Sequence, residues 1–259
     1  MLSQIQALLP GHPWKDQIHW FDCIDSTNTR AKEMALSGAP HGTVLIADRQ
    51  TGGRGRMGRS FQSPGGVGVY LSVLLRLKCP AEQLMHLTCA TAVAACDAVE
   101  QAVGLRPGIK WTNDLVCGSR KIAGILTELL YVGDEICAVV GIGINCCQDV
   151  TDFSEEIRWF AGSLAMATGK PVDRAQVAAS LIGALQQMDL SGKETMMDRY
   201  RKDCITIGKE ISLLRAEEVS HGYAISVDDD GGLVVRFDNG EVKTVQSGEI
   251  SVRGMYGYV

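Results

Sequence analysis

The chain of 259 residues is long enough to bury a substantial core, in one large domain or in a large and a small one. Its 25 basic and 30 acidic residues give a formal net charge of −5, which argues against nucleic acid as a general partner. No stretch approaches the roughly 18 apolar residues of a membrane span, and residues 1–11 lack a secretory pattern. These features predict a soluble cytoplasmic protein with no membrane partner.

The cysteine and histidine pattern gives no sign of a metal site. The nine cysteines include no Cys-x-x-Cys pair, and the adjacent Cys146 and Cys147 cannot easily bridge each other. We expect reduced thiols, with Cys89, Cys96 and Cys137 as small buried side chains in apolar surroundings. The five histidines show no ligand spacing, so no chemistry is assigned to them.

The first part of the chain mixes predicted strands and helices. Hydrophobic periodicity, caps and turn residues predict, in order, a strand over 19–23, a helix over 29–37, strands over 43–48 and 67–75, a helix over 81–103 ended by Gly104, a strand over 109–111, and strands over 121–131 and 135–144 joined at 133–134. Because strands and helices do not alternate strictly, the pattern indicates an α+β fold.

The sequence pattern of the remaining chain changes from helical to strand-like near residue 205. Helical patterns cover 155–168, 174–188 and 193–204. Short strand patterns follow at 210–214, 222–228, 233–237 and 242–245, separated by turn residues. We therefore predict a catalytic or binding domain over 1–205 and a small, barrel-like β domain over 206–259.

The most unusual segment is Gly53-Arg54-Gly55-Arg56-Met57-Gly58-Arg59, which lies between two predicted strands. Arginine presents a planar charged fork to phosphate or carboxylate oxygens, and glycine lets a ligand approach the main chain. The same composition also occurs in solvated loops, and the spacing matches neither the Rossmann glycine fingerprint nor a phosphate loop. The residues alone leave open both an anion site and a solvated loop.

Two polar segments also allow two interpretations each. Ser26-Thr27-Asn28 stands at a predicted helix start, where it suits either an N-cap or recognition of a polar ring. Lys110-Trp111-Thr112-Asn113-Asp114 places a cation, an indole, an amide and a carboxylate at a strand end. Asp114 suits a nucleotide-bound Mg²⁺, while the alternative is an Asx turn beside a packed tryptophan.

Two predicted strands carry features that an apolar strand does not need. Lys121 begins one of them, so its ammonium either reaches solvent or meets an anion. Gly141 and Gly143 lie on one face of the next strand, which leaves room for a flat ligand or for a closely packed chain segment.

Taken in order, these segments resemble the biotin protein ligase family, whose members carry a Gly-Arg-Gly-Arg-x-Gly-Arg loop, a Lys-Trp-Pro-Asn-Asp turn and a Lys-x-Ala-Gly-Ile strand. The resemblance covers nearly the whole chain, and residues 248–254 are similar to the family's C-terminal barrel signature. Thr112 replaces the usual proline, and Phe61 stands where relatives can have tryptophan. No winged helix-turn-helix precedes Ile18, so the resemblance is to the single-function form, with no repressor role or DNA partner expected.

The resemblance implies a mixed-sheet catalytic domain of the biotin/lipoate ligase type with a small SH3-like barrel. It implies an enzyme that uses ATP and Mg²⁺ to convert biotin to biotinyl-5′-AMP, with release of pyrophosphate. The enzyme then transfers biotin to a lysine of a biotin carboxyl carrier protein domain of a carboxylase. A homodimer is compatible with the family, although no stripe of this sequence demands one.

The motif positions assign the expected site residues. Arg56 and Lys121 are the catalytic candidates, at the reacting carboxylate and phosphate. The expected biotin-binding residues are Ser26, Thr27, Asn28, Gln50, Gly53, Arg54, Arg56, Lys121, Gly124, Gly141 and Gly143. The expected ATP- or AMP-binding residues are Arg56, Arg59, Phe61, Trp111, Asn113, Asp114, Lys121 and Asn145, with Asp114 also the candidate Mg²⁺ ligand. Residues 52–63 are expected to close over the adenylate, and no general base is assigned.

Two other functions remain as alternatives. A lipoate or octanoate ligase shares the catalytic-domain architecture but resembles the Gly/Arg loop poorly. A non-catalytic sensor of biotinyl-AMP has less need to keep Arg56, Lys121 and Asp114 together. Nucleic-acid binding ranks third.

Overall fold

The structure, a computed structural model, describes residues 1–78, 86–188, 190, 192–215, 218–246 and 251–254. The helices in these ranges are α1 (Leu2–Ala7), α2 (Thr27–Leu36), α3 (Leu87–Val103), α4 (Leu164–Thr168), α5 (Arg174–Gln186) and α6 (Lys193–Asp203). The strands are β1 (Ile18–Ile24), β2 (Thr43–Gln50), β3 (Gly68–Leu77), β4 (Gly108–Lys110), β5 (Asp114–Cys117), β6 (Arg120–Val132), β7 (Glu135–Asn145), β8 (Glu210–Arg215), β9 (Glu218–Val227), β10 (Leu233–Phe237), β11 (Val242–Val245) and β12 (Ser251–Gly254). The predicted α+β class is confirmed.

The larger sheet has seven strands in the order β1-β2-β3-β7-β6-β5-β4. β1 and β2 pair in parallel, and the connection between them is the α2 crossover, because parallel neighbours cannot be joined by a tight hairpin. The other neighbours are antiparallel. The predicted mixed sheet is therefore confirmed.

Helices cover both faces of this sheet. Alternate residues of a strand face opposite sides, so Leu71 and Val73 of β3 belong to the main core, which also contains α3 and α5. Leu74 faces the other way, where it packs with Ala31 and Ala35 of α2 in a second, smaller cluster. On this second face α2 covers only part of the sheet, and the uncovered part is where the predicted site residues gather.

The C-terminal strands form a separate antiparallel sheet in the order β11-β10-β9-β8-β12. Their inward residues, including Leu213, Val227 and Val235, are buried and join the main core cluster. This confirms the all-β character of the tail. The division of the chain at residues 205 and 206 remains a prediction, and residues 248–250 of the barrel signature lie outside the described residues.

The predicted helix over residues 155–168 is wrong for most of its length. Only Leu164–Thr168 is helical, and the preceding residues form turns that end in a parallel bridge between Ala161 and Lys121. The Lys121 N–H donates to Phe160 O at 2.7 Å. Backbone groups that a helix would pair internally are thus paired with the sheet, so the segment stays irregular and lies along its edge.

Three further elements were not predicted from the sequence pattern. Asp114, at the end of the polar segment 110–114, already belongs to β5, which pairs with both β4 and β6. The short α1 and the last strand, β12, also had no predicted counterpart. The other predicted elements occur within a few residues of their expected bounds, except that the first residues of the helix over 81–103 lie outside the described residues.

The described part of the chain includes eight cysteines, all of them free. Cys89, Cys96 and Cys137 are buried, as predicted. Burial is the main factor that raises the pKa of the Cys89 thiol to about 12, which keeps it protonated. Across the described residues, no helix combines the length and hydropathy required to cross a lipid bilayer.

One buried hydrogen bond joins α6 to the segment before β5 and generates a stability prediction. The Tyr200 hydroxyl is fully buried and donates to Thr112 O at 3.1 Å. We expect Tyr200→Phe to lower the free energy of unfolding by about 1–2 kcal/mol, because the carbonyl loses a buried donor. Urea denaturation measures the change.

The matched control is Tyr131→Phe, whose side chain is 69% exposed on β6. It should change the free energy of unfolding by less than about 0.5 kcal/mol. Equal effects of the two substitutions would contradict a role for the buried hydrogen bond.

Candidate active site

A cavity of about 600 Å³ opens on the face of the larger sheet that α2 leaves uncovered. The predicted site residues that line it are Ser26, Thr27, Asn28, Gln50, Arg54, Arg56, Arg59, Phe61, Trp111, Asn113, Asp114, Lys121, Gly124, Gly141, Gly143 and Asn145. Gly53 is the predicted site residue that does not line it. The fold thus brings together segments that are more than a hundred residues apart in the chain.

The start of α2 forms one end of the cavity. Ser26 is the N-cap of the helix, and its side chain accepts from Thr29 N at 3.4 Å. Gln50 Oε1, at the end of β2, accepts from Thr27 N at 2.8 Å and lies 3.1 Å from Thr27 Oγ1. Gln50 Nε2 donates to Ser63 Oγ at 2.9 Å. The N-cap interpretation is therefore confirmed for Ser26, and Thr27 beside it faces the cavity, where recognition of a polar ring stays a prediction.

Asn28 is buried at the same end and holds α2 on the sheet. Its Oδ1 lies 2.6 Å from Ser72 Oγ, and its Nδ2 donates to Leu126 O at 3.2 Å and to Glu128 Oε2 at 2.9 Å. Neither Ser72 nor Glu128 was predicted from the sequence. The available signals were a serine within the apolar run of β3 and a carboxylate beside the apolar residues Leu129 and Leu130 of β6.

Glycines form the floor of the cavity. A Cβ built on Gly141 would lie 2.0 Å from Asn28 Oδ1, and one on Gly143 would lie 2.5 Å from Phe61 Cε1. Gly124 of β6 pairs with Gly143 of β7 and lies under the same phenyl ring. The sequence left open whether a ligand or a chain segment uses this space. In the structure, protein side chains rest directly on the glycines and border the cavity.

The Gly/Arg loop is a closed hairpin-like turn. Arg54 forms a bridge with Ser60, and Gly55 N donates to Arg59 O at 2.7 Å. At its base Phe61 N donates to Gly53 O at 2.9 Å, and a Cβ on Gly53 would lie 2.3 Å from Phe61 O. Gly53 therefore allows the two ends of the loop to approach each other closely. Arg54, the next residue, is the first residue of the Gly/Arg loop that lines the cavity.

Charged side chains converge at the far end of the floor. Lys121 Nζ lies 2.6 Å from Asp114 Oδ1, and Arg56 Nη1 donates to Asn113 Oδ1 at 2.7 Å. Burial lowers the pKa of the Arg56 guanidinium, the carboxylate of Asp114 raises it in part, and the charge of Arg59 lowers it further. The open interpretation of Lys121 is thus decided: its ammonium meets a carboxylate beside the cavity.

Trp111 and Asn145 form walls whose polar groups are paired within the protein. Trp111 is buried, and its Nε1 donates to Gly231 O in the C-terminal sheet at 2.9 Å. Asn145 Nδ2 donates to Gly162 O at 2.9 Å, and Asn145 Oδ1 accepts from Gln148 Nε2. The peptide bond between Trp111 and Thr112, at the position of the family's usual proline, is cis.

A further wall was missed because residues 155–168 were predicted to be helical. Phe153, Ile157, Trp159 and Phe160 all line the cavity from this irregular segment. Trp159 is 59% exposed and makes an edge contact with Phe160, with ring centroids 4.7 Å apart. The sequence signal was the adjacent aromatic pair, which a charged surface helix does not require.

Comparison with protein families gives two matches. Residues 20–145 match the biotin/lipoate A/B protein ligase family, and residues 206–253 match the biotin protein ligase C-terminal domain. The first match contains the Gly/Arg loop, the Asn113–Asp114 turn, Lys121 and the glycine floor.

Characterised relatives are similar over most of their length. The bifunctional ligase/repressor BirA of Bacillus subtilis is 34% identical over 255 residues, which are 96% of this chain and 78% of that protein. The biotin–[acetyl-CoA-carboxylase] ligase of Mycobacterium tuberculosis is 31% identical over 254 residues, covering 95% of this chain and 92% of that protein.

Solved structures agree with the sequence relatives. Biotin protein ligase from Aquifex aeolicus, in complex with biotin and ATP, superposes with a TM-score of 0.77 at 32% identity, covering 92% of this chain and 98% of that one. The order of the motifs, the site they assemble and the similarity over nearly the whole chain lead to one conclusion: the chain belongs to the biotin protein ligase family.

Proposed function

We propose that this chain is a biotin protein ligase that makes biotinyl-5′-AMP from biotin and ATP and then biotinylates a lysine of a carboxylase carrier domain. One observation carries the proposal. A neutral hydrogen-bonding end, at Thr27 and Gln50, and a cationic end, at Arg56 and Lys121, share one cavity over a glycine floor. That arrangement suits a substrate with a polar uncharged ring at one end and a carboxylate at the other.

The α2 end is the proposed site of the ureido ring. Ser26, Thr27 and Gln50 offer hydroxyl and amide groups without a formal charge, which match the carbonyl and N–H groups of a urea. Because Gly141 and Gly143 carry no Cβ, Asn28 and Phe61 lie close against the sheet, which leaves the cavity beside them for the bicyclic ring. The ring would share the floor with Asn28 and Phe61, whose side chains border the same space.

The cationic end is the proposed site of adenylation. A carboxylate oxygen of biotin attacks the α-phosphorus of ATP, the bond to the β-phosphate oxygen breaks, and pyrophosphate leaves with the electron pair. Two anions must approach each other, so fixed positive charges in a partly buried site supply most of the assistance. Arg56 and Lys121 provide those charges, and Arg59 extends them toward the leaving pyrophosphate.

The nucleotide is proposed to lie between Asp114 and the irregular wall. The described residues contain no group of three or more His, Cys, Asp or Glu side chains that could hold a metal by themselves. The single carboxylate of Asp114 fits Mg²⁺, which takes one or two protein carboxylates and completes its shell with water and phosphate oxygens. When bound, Mg²⁺ neutralises phosphate charge. The rings of Phe61 and Trp159 offer apolar cover for adenine.

The second step requires protection of the adenylate. The amine of the carrier lysine attacks the carbonyl carbon of the mixed anhydride, an amide forms, and AMP leaves. Water competes with this attack unless the site closes. Residues 52–63 are the proposed lid: the loop tip at Met57 is exposed and adopts a left-handed backbone, with φ of 56°, while the loop base is tied at Gly53.

The reaction itself is the first test. Purified protein with Mg²⁺ should exchange labelled pyrophosphate into ATP when biotin is present, because adenylation is reversible. Lipoate and octanoate should give no exchange. Exchange with either of these acids but not with biotin would show that the protein is a lipoate or octanoate ligase instead. No exchange with any of the three acids would contradict the proposed activity.

Substitution of Lys121 distinguishes an enzyme from a non-catalytic sensor. Lys121→Ala should reduce the rate of exchange at saturating biotin by at least about 100-fold, because the charge acts mainly on the transition state. The dissociation constant of biotin, measured by calorimetry, should change by less than about threefold. Lys170→Ala, at an exposed lysine outside the cavity, should change neither quantity. Parallel losses of binding and exchange would favour the sensor.

The glycine floor gives another prediction. Gly141→Ala should raise the KM for biotin by about tenfold or more, since a new methyl group at 2.0 Å from Asn28 Oδ1 displaces a buried side chain from the floor. Exchange kinetics measure the effect. The matched control is Gly183→Ala in α5, where a Cβ meets nothing within 4 Å, and which should keep the wild-type KM.

A further inference from the structure

Glu128 of β6 lies beside the cavity and connects three segments of the chain. Its Oε2 accepts from Asn28 Nδ2 at 2.9 Å, and its Oε1 accepts from Lys32 Nζ at 2.8 Å. Asn28 and Lys32 are one helical turn apart on α2, so both reach the same carboxylate. Arg54 Nη1, from the Gly/Arg loop, lies 3.8 Å from Oε1.

The surroundings of Glu128 keep it ionised. Burial raises its pKa, but the hydrogen bonds from Lys32 and Asn28 and the charges of Lys32 and Arg54 outweigh burial, so the net pKa lies below the ordinary value. An ionised carboxylate only accepts hydrogen bonds. Asn28 must therefore direct its amide NH₂ group toward Glu128, an orientation that Leu126 O also favours.

This orientation decides where the proton of Ser72 goes. Ser72 is completely buried, and its Oγ lies 2.6 Å from Asn28 Oδ1 and 2.7 Å from Thr27 Oγ1. Asn28 Oδ1 has no proton, so a hydrogen bond at 2.6 Å requires the one proton of Ser72. That proton is then not available to Thr27, whose own proton is directed to Ser72 Oγ or to Gln50 Oε1 within the protein, so lone pairs of Thr27 Oγ1 remain for another donor.

Thr27 lines the proposed ureido end of the cavity, next to Gln50. The geometry points to Glu128 as a positioning residue that acts through Asn28 and Ser72 and presents the Thr27 hydroxyl as an acceptor for one ring N–H of biotin. This inference rests on the proposed function. Glu128 itself stays outside the substrate and gives no proton to the reaction.

A purely structural role for Glu128, as a tie between α2 and the sheet, makes different predictions. Glu128→Met removes both acceptor oxygens at similar side-chain length. We expect the KM for biotin in pyrophosphate exchange to rise about tenfold, while kcat and the KM for ATP stay within about threefold of wild type. A structural tie would lower the midpoint of thermal unfolding and leave the KM for biotin unchanged.

Two variants separate hydrogen bonding from charge. Glu128→Gln retains an oxygen that accepts from Asn28 but loses the charge, so it should restore most of the wild-type KM for biotin. Equal losses in Glu128→Gln and Glu128→Met would overturn the inference in favour of a simple charge effect. Glu33→Met, on the exposed side of α2, is the matched control and should have no effect.

A substrate series gives the most specific readout. In the two cyclic carbamate analogues of biotin, one or the other ring N–H is replaced by oxygen, which cannot donate. Wild-type protein should discriminate against one of them, and Glu128→Met should reduce that discrimination several-fold, because Ser72 can then donate to Thr27 and Thr27 Oγ1 is no longer fixed as a free acceptor. Unchanged discrimination in Glu128→Met would overturn the inference. Wild-type protein without biotin-dependent exchange would instead refute the proposed function on which it rests.

Discussion

The site depends on three glycines of the larger sheet, which leave one face of the sheet without side chains at those positions. Gly124, Gly141 and Gly143 lie on the face that α2 only partly covers, and their missing Cβ atoms let Asn28 and Phe61 approach the backbone directly. A strand normally loses stability at such positions, since glycine has more backbone entropy to lose and no side chain to pack. Here that space holds the side chains of Asn28 and Phe61, which border the cavity.

The cavity above this glycine floor has a neutral end and a cationic end. The neutral end at Thr27 and the cationic end at Lys121 line one cavity, and Asn28 and Phe61 lie directly over the glycines of its floor. The ion pair with Asp114 offsets the partly buried charge of Lys121, while Asn113 accepts from Arg56. An anion bound at this end meets donors that are already positioned, which is the condition for electrostatic assistance in a poorly hydrated site.

The walls of the cavity include aromatic side chains that other parts of the chain hold in place. The indole of Trp111 is held by a carbonyl of the C-terminal sheet, at Gly231, so the β tail supports this wall of the cavity. On the opposite side, a segment that returns to pair with Lys121 supplies the aromatic wall around Trp159. The apolar wall is therefore joined to the backbone of Lys121 through one bridge.

Local periodicity, turn residues and motif order were enough to predict the α+β class, most element bounds and the family from the sequence. Of the seventeen site residues predicted from the sequence, sixteen line one cavity in the structure. Three features depended on tertiary structure alone: the wall at residues 153–161, the placement of Gly53 outside the cavity, and the roles of Ser72 and Glu128. Each arises from pairing between residues distant in the chain, as when Phe160 pairs with Lys121 or Asn28 reaches Glu128. A local sequence pattern contains no information on such partners, because these contacts form only when distant parts of the chain come together in the fold.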